Sequence, residues 1–261
     1  MTATTTTRTG GAYVDINGVR TYYEVTGEGD PVFLLHGGLC TAESWDAQTA
    51  ELSKTYRVYV PEQFAHGRTR DIEGPLSYEA MAQHTIALME SLGVESAHIG
   101  GWSDGALVAL LVALRRPKMV RKLILIDQYV ELEKAPEWIM PMFENWTPAE
   151  APPFLRDAYC ALSPDGPEHF PVVFEKLRTL WLSPTGVEIG DLAHVASPTL
   201  VLAGETGSFT FSHLGEVVAA LPDVQVAMVP GTSHALVWEK PHVANLLIAE
   251  FLADEQVPKF F

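Results

Sequence analysis

Ser103 stands inside Gly101-Trp102-Ser103-Asp104-Gly105, a G-x-S-x-G frame. A serine hydroxyl is too weak an acid to attack a carbonyl unaided. A nucleophilic serine therefore needs a base, and the base needs a group to orient it. His234, in Gly231-Thr232-Ser233-His234, is the candidate base. Two carboxylates compete for the orienting role. Asp127 follows the apolar run Lys122 to Ile126, and Glu205 follows Thr199 to Ala203. The chemistry such a set supports is acyl transfer: the hydroxyl attacks an acyl carbon while the imidazole takes and returns its proton.

The elements around Ser103 suit that use. An apolar run, Ala97 to Ile99, precedes it, and the apolar segment Ala106 to Leu114 follows. Strand, sharp turn and helix is the setting that exposes a serine Oγ. A bare G-x-S-x-G also occurs in ordinary Gly-Ser turns, so the flanking elements carry the reading. The turn leaves no room for Cβ atoms at Gly101 and Gly105. It also aims the first N–H groups of the helix at the reacting atoms.

Further elements place the other candidates. Two short strands are expected between Ala12 and Thr26, joined at Asn17-Gly18. Val32 to Leu35 reads as a strand covered on both faces, and it runs into His36-Gly37-Gly38-Leu39. A helix with Trp45, Thr49 and Leu52 on one side follows, then a strand at Arg57 to Val60. Glu79 to Leu92 is expected to be a helix capped by Ser77 and stopped by Gly93. Helices are also expected from His213 to Leu221 and from Pro241, with a last strand at Val224 to Val229. Strands alternating with helices imply a mostly parallel sheet, in which reactive groups gather at the carboxyl ends of the strands. His36-Gly37-Gly38, Ser103, Asp127, Gly204-Glu205 and His234 all follow such ends. Between Gln128 and Val195 the alternation stops. That stretch carries Trp138, Phe143, Trp146, Phe154 and Trp181, too apolar for a linker, and reads as a helical insertion.

The chain has 261 residues, 47% of them hydrophobic and 19% charged, which suits one core with an insertion. A formal net charge of −16 opposes binding to nucleic acid or an anionic membrane, so neither is an expected partner. Cys40 and Cys160 form no disulfide framework, consistent with a cytoplasmic location. No apolar run reaches transmembrane length, and the threonine-rich start from Met1 to Thr7 reads as a flexible tail. Metal-ligand spacings such as H-E-x-x-H and C-x-x-C are missing, as are Walker and G-x-G-x-x-G loops. No cofactor is expected.

Taken together, the His36-Gly37-Gly38 loop, the Ser103 frame, the insertion and Gly231-Thr232-Ser233-His234 resemble the α/β-hydrolase fold from about Ala12 to Leu252. Gly-Trp-Ser-Asp-Gly resembles the branch of small bacterial esterases and valacyclovir-type hydrolases. The resemblance implies a mostly parallel eight-stranded sheet with helices on both faces and a helical cap after strand six. The core would be 1–127 and 196–261, with residues 1–11 as a tail, and the cap 128–195. It implies Ser103 as nucleophile, His234 as base, and the N–H groups of Gly38 and Asp104 as the oxyanion hole. The expected pocket residues are Leu39, Phe64, Trp102, Trp138 and Phe143, with core packing the alternative for Phe64. His36 is expected to shape its own loop. The substrate would be a small apolar carboxylic ester, and the protein a monomer or homodimer.

Two features depart from the resemblance. Family members commonly carry an aspartate three residues after the glycine that ends strand seven; that position here is Gly207. Asp127, where some relatives carry the acid, is favoured over Glu205, and a site with no acid stays open. The loop Glu62-Gln63-Phe64-Ala65-His66-Gly67-Arg68-Thr69 replaces a D-x-R-G-x-G-x-S pattern, with Phe64 for arginine. These departures leave two rival functions. One is a lyase, acyltransferase, perhydrolase or cyclase on a repurposed or engineered site; the other is a ligand-binding protein with a vestigial site. Dehalogenase and epoxide hydrolase chemistry is disfavoured, because those relatives have aspartate in place of Ser103.

Overall fold

The computed structural model describes residues 11–253. Strands β1 (Ala12–Ile16) and β2 (Val19–Thr26) form the expected hairpin, with Asn17 and Gly18 at φ 53° and 84°. Then come β3 (Pro31–Leu35), β4 (Arg57–Pro61), β5 (Ala97–Trp102), β6 (Val120–Ile126), β7 (Thr199–Thr206) and β8 (Val224–Ser233). Among the described residues they form one eight-stranded sheet ordered β1-β2-β4-β3-β5-β6-β7-β8. The β1–β2 and β2–β4 pairs are antiparallel. The pairs from β4 through β8 are parallel. The order reverses around β3, so β3 and β5 lie side by side and bring the Gly37-Gly38 loop to the elbow.

Continuous apolar strands are explained by burial on both faces. Phe33, Leu35, Ile99, Leu123 and Leu125 join one hydrophobic cluster. Their chain neighbours Val32, Leu34, Ile124 and Ile126 join another. Alternate side chains of a strand point to opposite faces, so each strand feeds two cores. Helices α2 (Tyr78–Ser91) and α3 (Asp104–Arg115) supply the first cluster. Helices α1 (Asp46–Leu52) and α9 (Pro241–Leu252) supply the second. α3 is buried nearly all round, as its uninterrupted apolar sequence requires.

The insertion between β6 and β7 is helical, with α4 (Ile139–Asn145), α5 (Pro153–Leu162) and α6 (Phe170–Trp181). On α6, Phe170, Val173, Phe174, Leu177, Leu180 and Trp181 are buried, the i, i+3, i+4, i+7 spacing of a one-faced helix. Its exposed side is tethered to the loop after β4. Lys176 Nζ and His169 Nε2 meet Asp71 Oδ2 at 2.7 and 2.9 Å.

Several boundaries differ from the sequence expectation. Trp45 lies in a 3₁₀ turn before α1 and is fully buried. Helix α7 (Phe211–Ala220) begins two residues before His213, because Thr210 Oγ1 accepts from His213 N and caps it. β8 continues past Val229 to Ser233, and the short helix α8 (Leu236–Glu239) follows it. The reading of Met1 to Thr7 as a tail lies outside the described residues.

Candidate active site

Ser103 caps α3 with φ 57° and ψ −127°, a conformation costly for a residue with a Cβ. Neighbouring strands enforce it: Ser103 N donates to Ile126 O at 3.0 Å. The frame cannot relax. A Cβ on Gly101 would stand 2.0 Å from Gly105 O, and one on Gly105 would stand 2.0 Å from Leu35 O. The Gly-rich loop after β3 runs beside the serine, so that a Cβ on Gly37 would be 2.9 Å from Ser103 Cβ. Ser103 itself is half-buried on a cavity wall that His234 shares.

Asp127 follows β6 at φ 47° and is fully buried. Its Oδ1 accepts from Gly204 N, and its Oδ2 from Ser208 N, both at 2.8 Å. Oδ2 also lies 2.8 Å from His234 Nδ1. A carboxylate already accepting two amide protons acts here as an acceptor, so Nδ1 carries the imidazole proton. That leaves Nε2 with its lone pair, the tautomer a general base requires. Ser208 Oγ stands 2.8 Å from the same Nδ1 as a second oxygen partner. Glu205 is engaged elsewhere, accepting from Gly231 N at 2.5 Å. The structure therefore brings Asp127 to the imidazole and leaves Glu205 outside.

Gly207 makes this arrangement possible. A Cβ there would fall 2.1 Å from Asp127 Oδ1. The carboxylate from β6 occupies the space that a side chain after β7 would need.

The chain matches one family model, described as the alpha/beta hydrolase family, over residues 32–244. The chain belongs to the alpha/beta hydrolase family. It is similar to the pimeloyl-[acyl-carrier protein] methyl ester esterase of Nitrosospira multiformis. The two are 26% identical over 260 residues, spanning 88% of this chain and 97% of that one. It is 34% identical over 120 residues to the human serine hydrolase BPHL, covering 44% of this chain and 41% of that protein. Its fold is that of the meta-cleavage product hydrolase CumD of Pseudomonas fluorescens IP01, solved as a serine-to-alanine mutant with acetates. The TM-score is 0.80, with 24% identity over 92% of this chain and 97% of that one. Family and geometry together make the protein a hydrolytic enzyme of the carboxylic ester hydrolase type, in the serine-nucleophile superfamily.

In this hydrolase, Asp104 follows the serine directly, and Gly38 follows the Gly37 that packs against it. Asp104 is the first residue of α3, where an N–H has no partner within the helix. Among the described residues, Gly38 N makes no main-chain hydrogen bond in the loop after β3. Both residues line the cavity. The Asp104 carboxylate is fixed apart from this role, accepting from Tyr78 Oη at 2.7 Å and Trp181 Nε1 at 2.9 Å. Burial raises its pKa, opposed by those two donors. His36 Nδ1 donates to Gly37 O at 2.8 Å, and Nε2 accepts from Gln63 N at 3.1 Å. Burial lowers His36 to about 4, so it is a neutral strut between two loops. Burial likewise holds the Cys40 thiol far above its ordinary range, in its protonated form.

The cavity has a volume of about 320 Å³, and Leu39, Trp102, Trp138 and Phe143 all line it. Phe64 does not reach it. The Glu62 carboxylate accepts from the main-chain N–H groups of Ala42 and Arg68, winding the loop back on itself. Phe64 thereby enters the core, 7% exposed, with its ring 4.3 Å from that of His84 on α2. Sequence reasoning missed Ser208 and Trp238, which line the cavity together with Trp181 of the insertion. Ser208 adjoins Gly207, so the missing acid already drew attention to that turn. Trp102 also braces the site from behind. Its Nε1 donates to His234 O at 2.8 Å, tying the serine frame to the histidine loop.

Among the described residues, no three His, Cys, Asp or Glu side chains are grouped to hold a metal ion. No described helix is long and apolar enough to cross a membrane.

Proposed function

We propose that this hydrolase cleaves a small apolar carboxylic ester through an acyl-enzyme on Ser103. His234 Nε2 takes the hydroxyl proton as Oγ attacks the ester carbon. The resulting oxyanion is held by the N–H groups of Gly38 and Asp104. Asp127 and Ser208 face the Nδ1–H of the imidazolium that forms, keeping the ring in register. The imidazolium then protonates the departing alkoxide, and the alcohol leaves. Water, giving a proton to the same Nε2, attacks the acyl carbon. Return of that proton to Ser103 Oγ releases the carboxylic acid.

The observation that carries this reading is the Asp127–His234 contact on the wall of a cavity that also contains Ser103. The apolar lining supports an uncharged substrate, since an ionised group would lose its hydration there without a partner. The segment 128–195 acts as the cap, with Trp138, Phe143 and Trp181 among the residues it adds to the wall. Gly-Trp-Ser-Asp-Gly supports the valacyclovir-hydrolase-like branch, and the partial match to the serine hydrolase BPHL supports a serine nucleophile. The methyl ester esterase relative supports an ester in place of an amide.

A panel of short p-nitrophenyl esters tests the reading. The expected result is turnover by the wild type that disappears in Ser103→Ala. Turnover that survives Ser103→Ala, or folded protein that hydrolyses none of the panel, overturns it.

A further inference from the structure

A second hollow of about 330 Å³ adjoins the cavity. The two share Leu39, Cys40, Phe154, Leu155 and Trp238 as walls. An aromatic contact divides them: Phe154 on α5 meets Trp238 edge-on at 5.7 Å. The two sides of this divide differ in how firmly they are held. Trp238 is pinned, its Nε1 donating to Ser44 O at 2.8 Å and its ring packed on Trp102 at 4.6 Å. Phe154 is the second residue of its helix and remains 59% exposed. An aromatic ring left in water at the rim of an apolar cavity loses burial energy that a ligand passing beneath it would restore.

The far wall of the hollow is polar in one sense only. Thr41 Oγ1 gives its proton to Glu43 Oε2 at 2.6 Å, and Ser44 Oγ gives its proton to Thr41 O at 2.7 Å. Both hydroxyls therefore keep only lone pairs for a further partner. Burial alone would raise the Glu43 carboxyl, but hydrogen bonds from Arg68 and Thr41 prevail and hold it near about 2. It is thus an ionised acceptor, paired with Arg68, which also pairs with the buried Glu62. The wall offers acceptors and no basic side chain of its own. It suits a neutral group that donates hydrogen bonds and disfavours a carboxylate.

We propose that the hollow is a second substrate subsite, taking the far part of an extended ester: an apolar body that passes under Phe154 and ends in a hydroxyl. This rests on the hydrolase reading above and extends it. The cavity beside Ser103 takes the half bearing the reactive carbonyl, and Thr41, Glu43 and Ser44 accept from the distal hydroxyl.

The test fills the hollow without touching the catalytic set. Ala158, on α5, lines the hollow but not the cavity beside Ser103. Ala158→Trp is compared with the wild type on p-nitrophenyl acetate and on two extended esters. These are ω-hydroxydodecyl acetate and p-nitrophenyl ω-hydroxydodecanoate, which carry the chain on the alcohol and acyl sides. The expected result is a loss of about tenfold in kcat/KM for at least one extended ester, with the acetate kept within about twofold. The wild type is also expected to prefer that ester over its hydroxyl-free counterpart, and Glu43→Gln to shrink the preference. Equal losses on short and extended esters, or no loss on any, overturn the subsite. A wild type inactive even on p-nitrophenyl acetate refutes the hydrolase reading itself, which the subsite needs.

Discussion

Asp127 Oδ2 and His234 Nδ1 lie 2.8 Å apart, although 107 positions separate the two residues in the chain. The contact joins the end of β6 to the loop after β8, with β7 between them in the sheet. Asp127 N donates to Leu202 O and Gly204 N donates back to Asp127 Oδ1, each at 2.8 Å, so β7 itself fixes the carboxylate.

This assigns the orienting role to one of two acids and can be tested by amide substitution. Asp127→Asn is expected to lower kcat for ester hydrolysis by roughly 10³–10⁴, the scale of that exchange in a serine protease. Glu205→Gln, altering a carboxylate bonded to Gly231 N, is expected to leave kcat within about threefold. Steady-state kinetics on one p-nitrophenyl ester decides. Similar effects from the two variants would contradict the assignment.

The space at Gly207 carries its own prediction. Its absent Cβ would collide with Asp127 at 2.1 Å, so Gly207→Ala must push the carboxylate or the loop aside. The expected outcome is a fall in kcat of about tenfold or more with the fold retained. Circular dichroism together with kinetics checks both parts.

Ser208 makes a smaller contribution. Its hydroxyl faces the same Nδ1 as Asp127, while its main-chain N–H, unaffected by substitution, holds Asp127 Oδ2. Ser208→Ala is expected to reduce kcat by about two- to tenfold, the equivalent of one net hydrogen bond of roughly 0.5–1.5 kcal/mol. KM and Tm should hardly move.

Buried histidines set the acid limit of stability. Burial lowers His36 to about 4 and His66 to about 3, the latter helped by neighbouring His36, against an ordinary value of 6.5. Below pH 6.5 the unfolded chain binds protons that the folded chain refuses. The contribution of these two histidines is therefore full above that pH and drains away towards pH 4 and below, opposed between about 4.5 and 7 by Glu62, which burial raises to about 7. Each histidine takes away about 1.4 kcal/mol for every pH step between its unfolded and folded values. His66→Leu, measured by urea unfolding between pH 8 and 4, is expected to flatten this fall. At pH 8 it should cost about 1 kcal/mol for the lost bond to Phe64 O. An acid slope as steep as the wild type's would contradict the account.

Much of this was legible in the sequence, and the rest was not, for identifiable reasons. The Ser103 frame could be read because its strain admits so few residues. The apolar runs gave the central strands, since burial on both faces leaves no other pattern. The meeting of Asp127 with His234 could only be offered as one of two options. It depends on the β6–β7 register and on a missing methyl at Gly207, neither of which leaves a local signature. Phe64 was expected in the pocket because it stands in the loop after strand four, where the resembled family carries an arginine. The Glu62 carboxylate winds that loop inward, a long-range effect that no short window contains. Ser208 was passed over because a loop serine looks like any other until its partner is seen.

The central claim is that Ser103 is a hydroxyl primed by His234, and covalent labelling reads this most directly. Intact protein is treated with a fluorophosphonate, and the adduct is mapped by peptide mass spectrometry. The account predicts one adduct, on the peptide containing Ser103, formed rapidly in the wild type, slowly in Asp127→Asn and not at all in Ser103→Ala. Folded wild-type protein that stays unlabelled, or label that persists at another residue in Ser103→Ala, would contradict it.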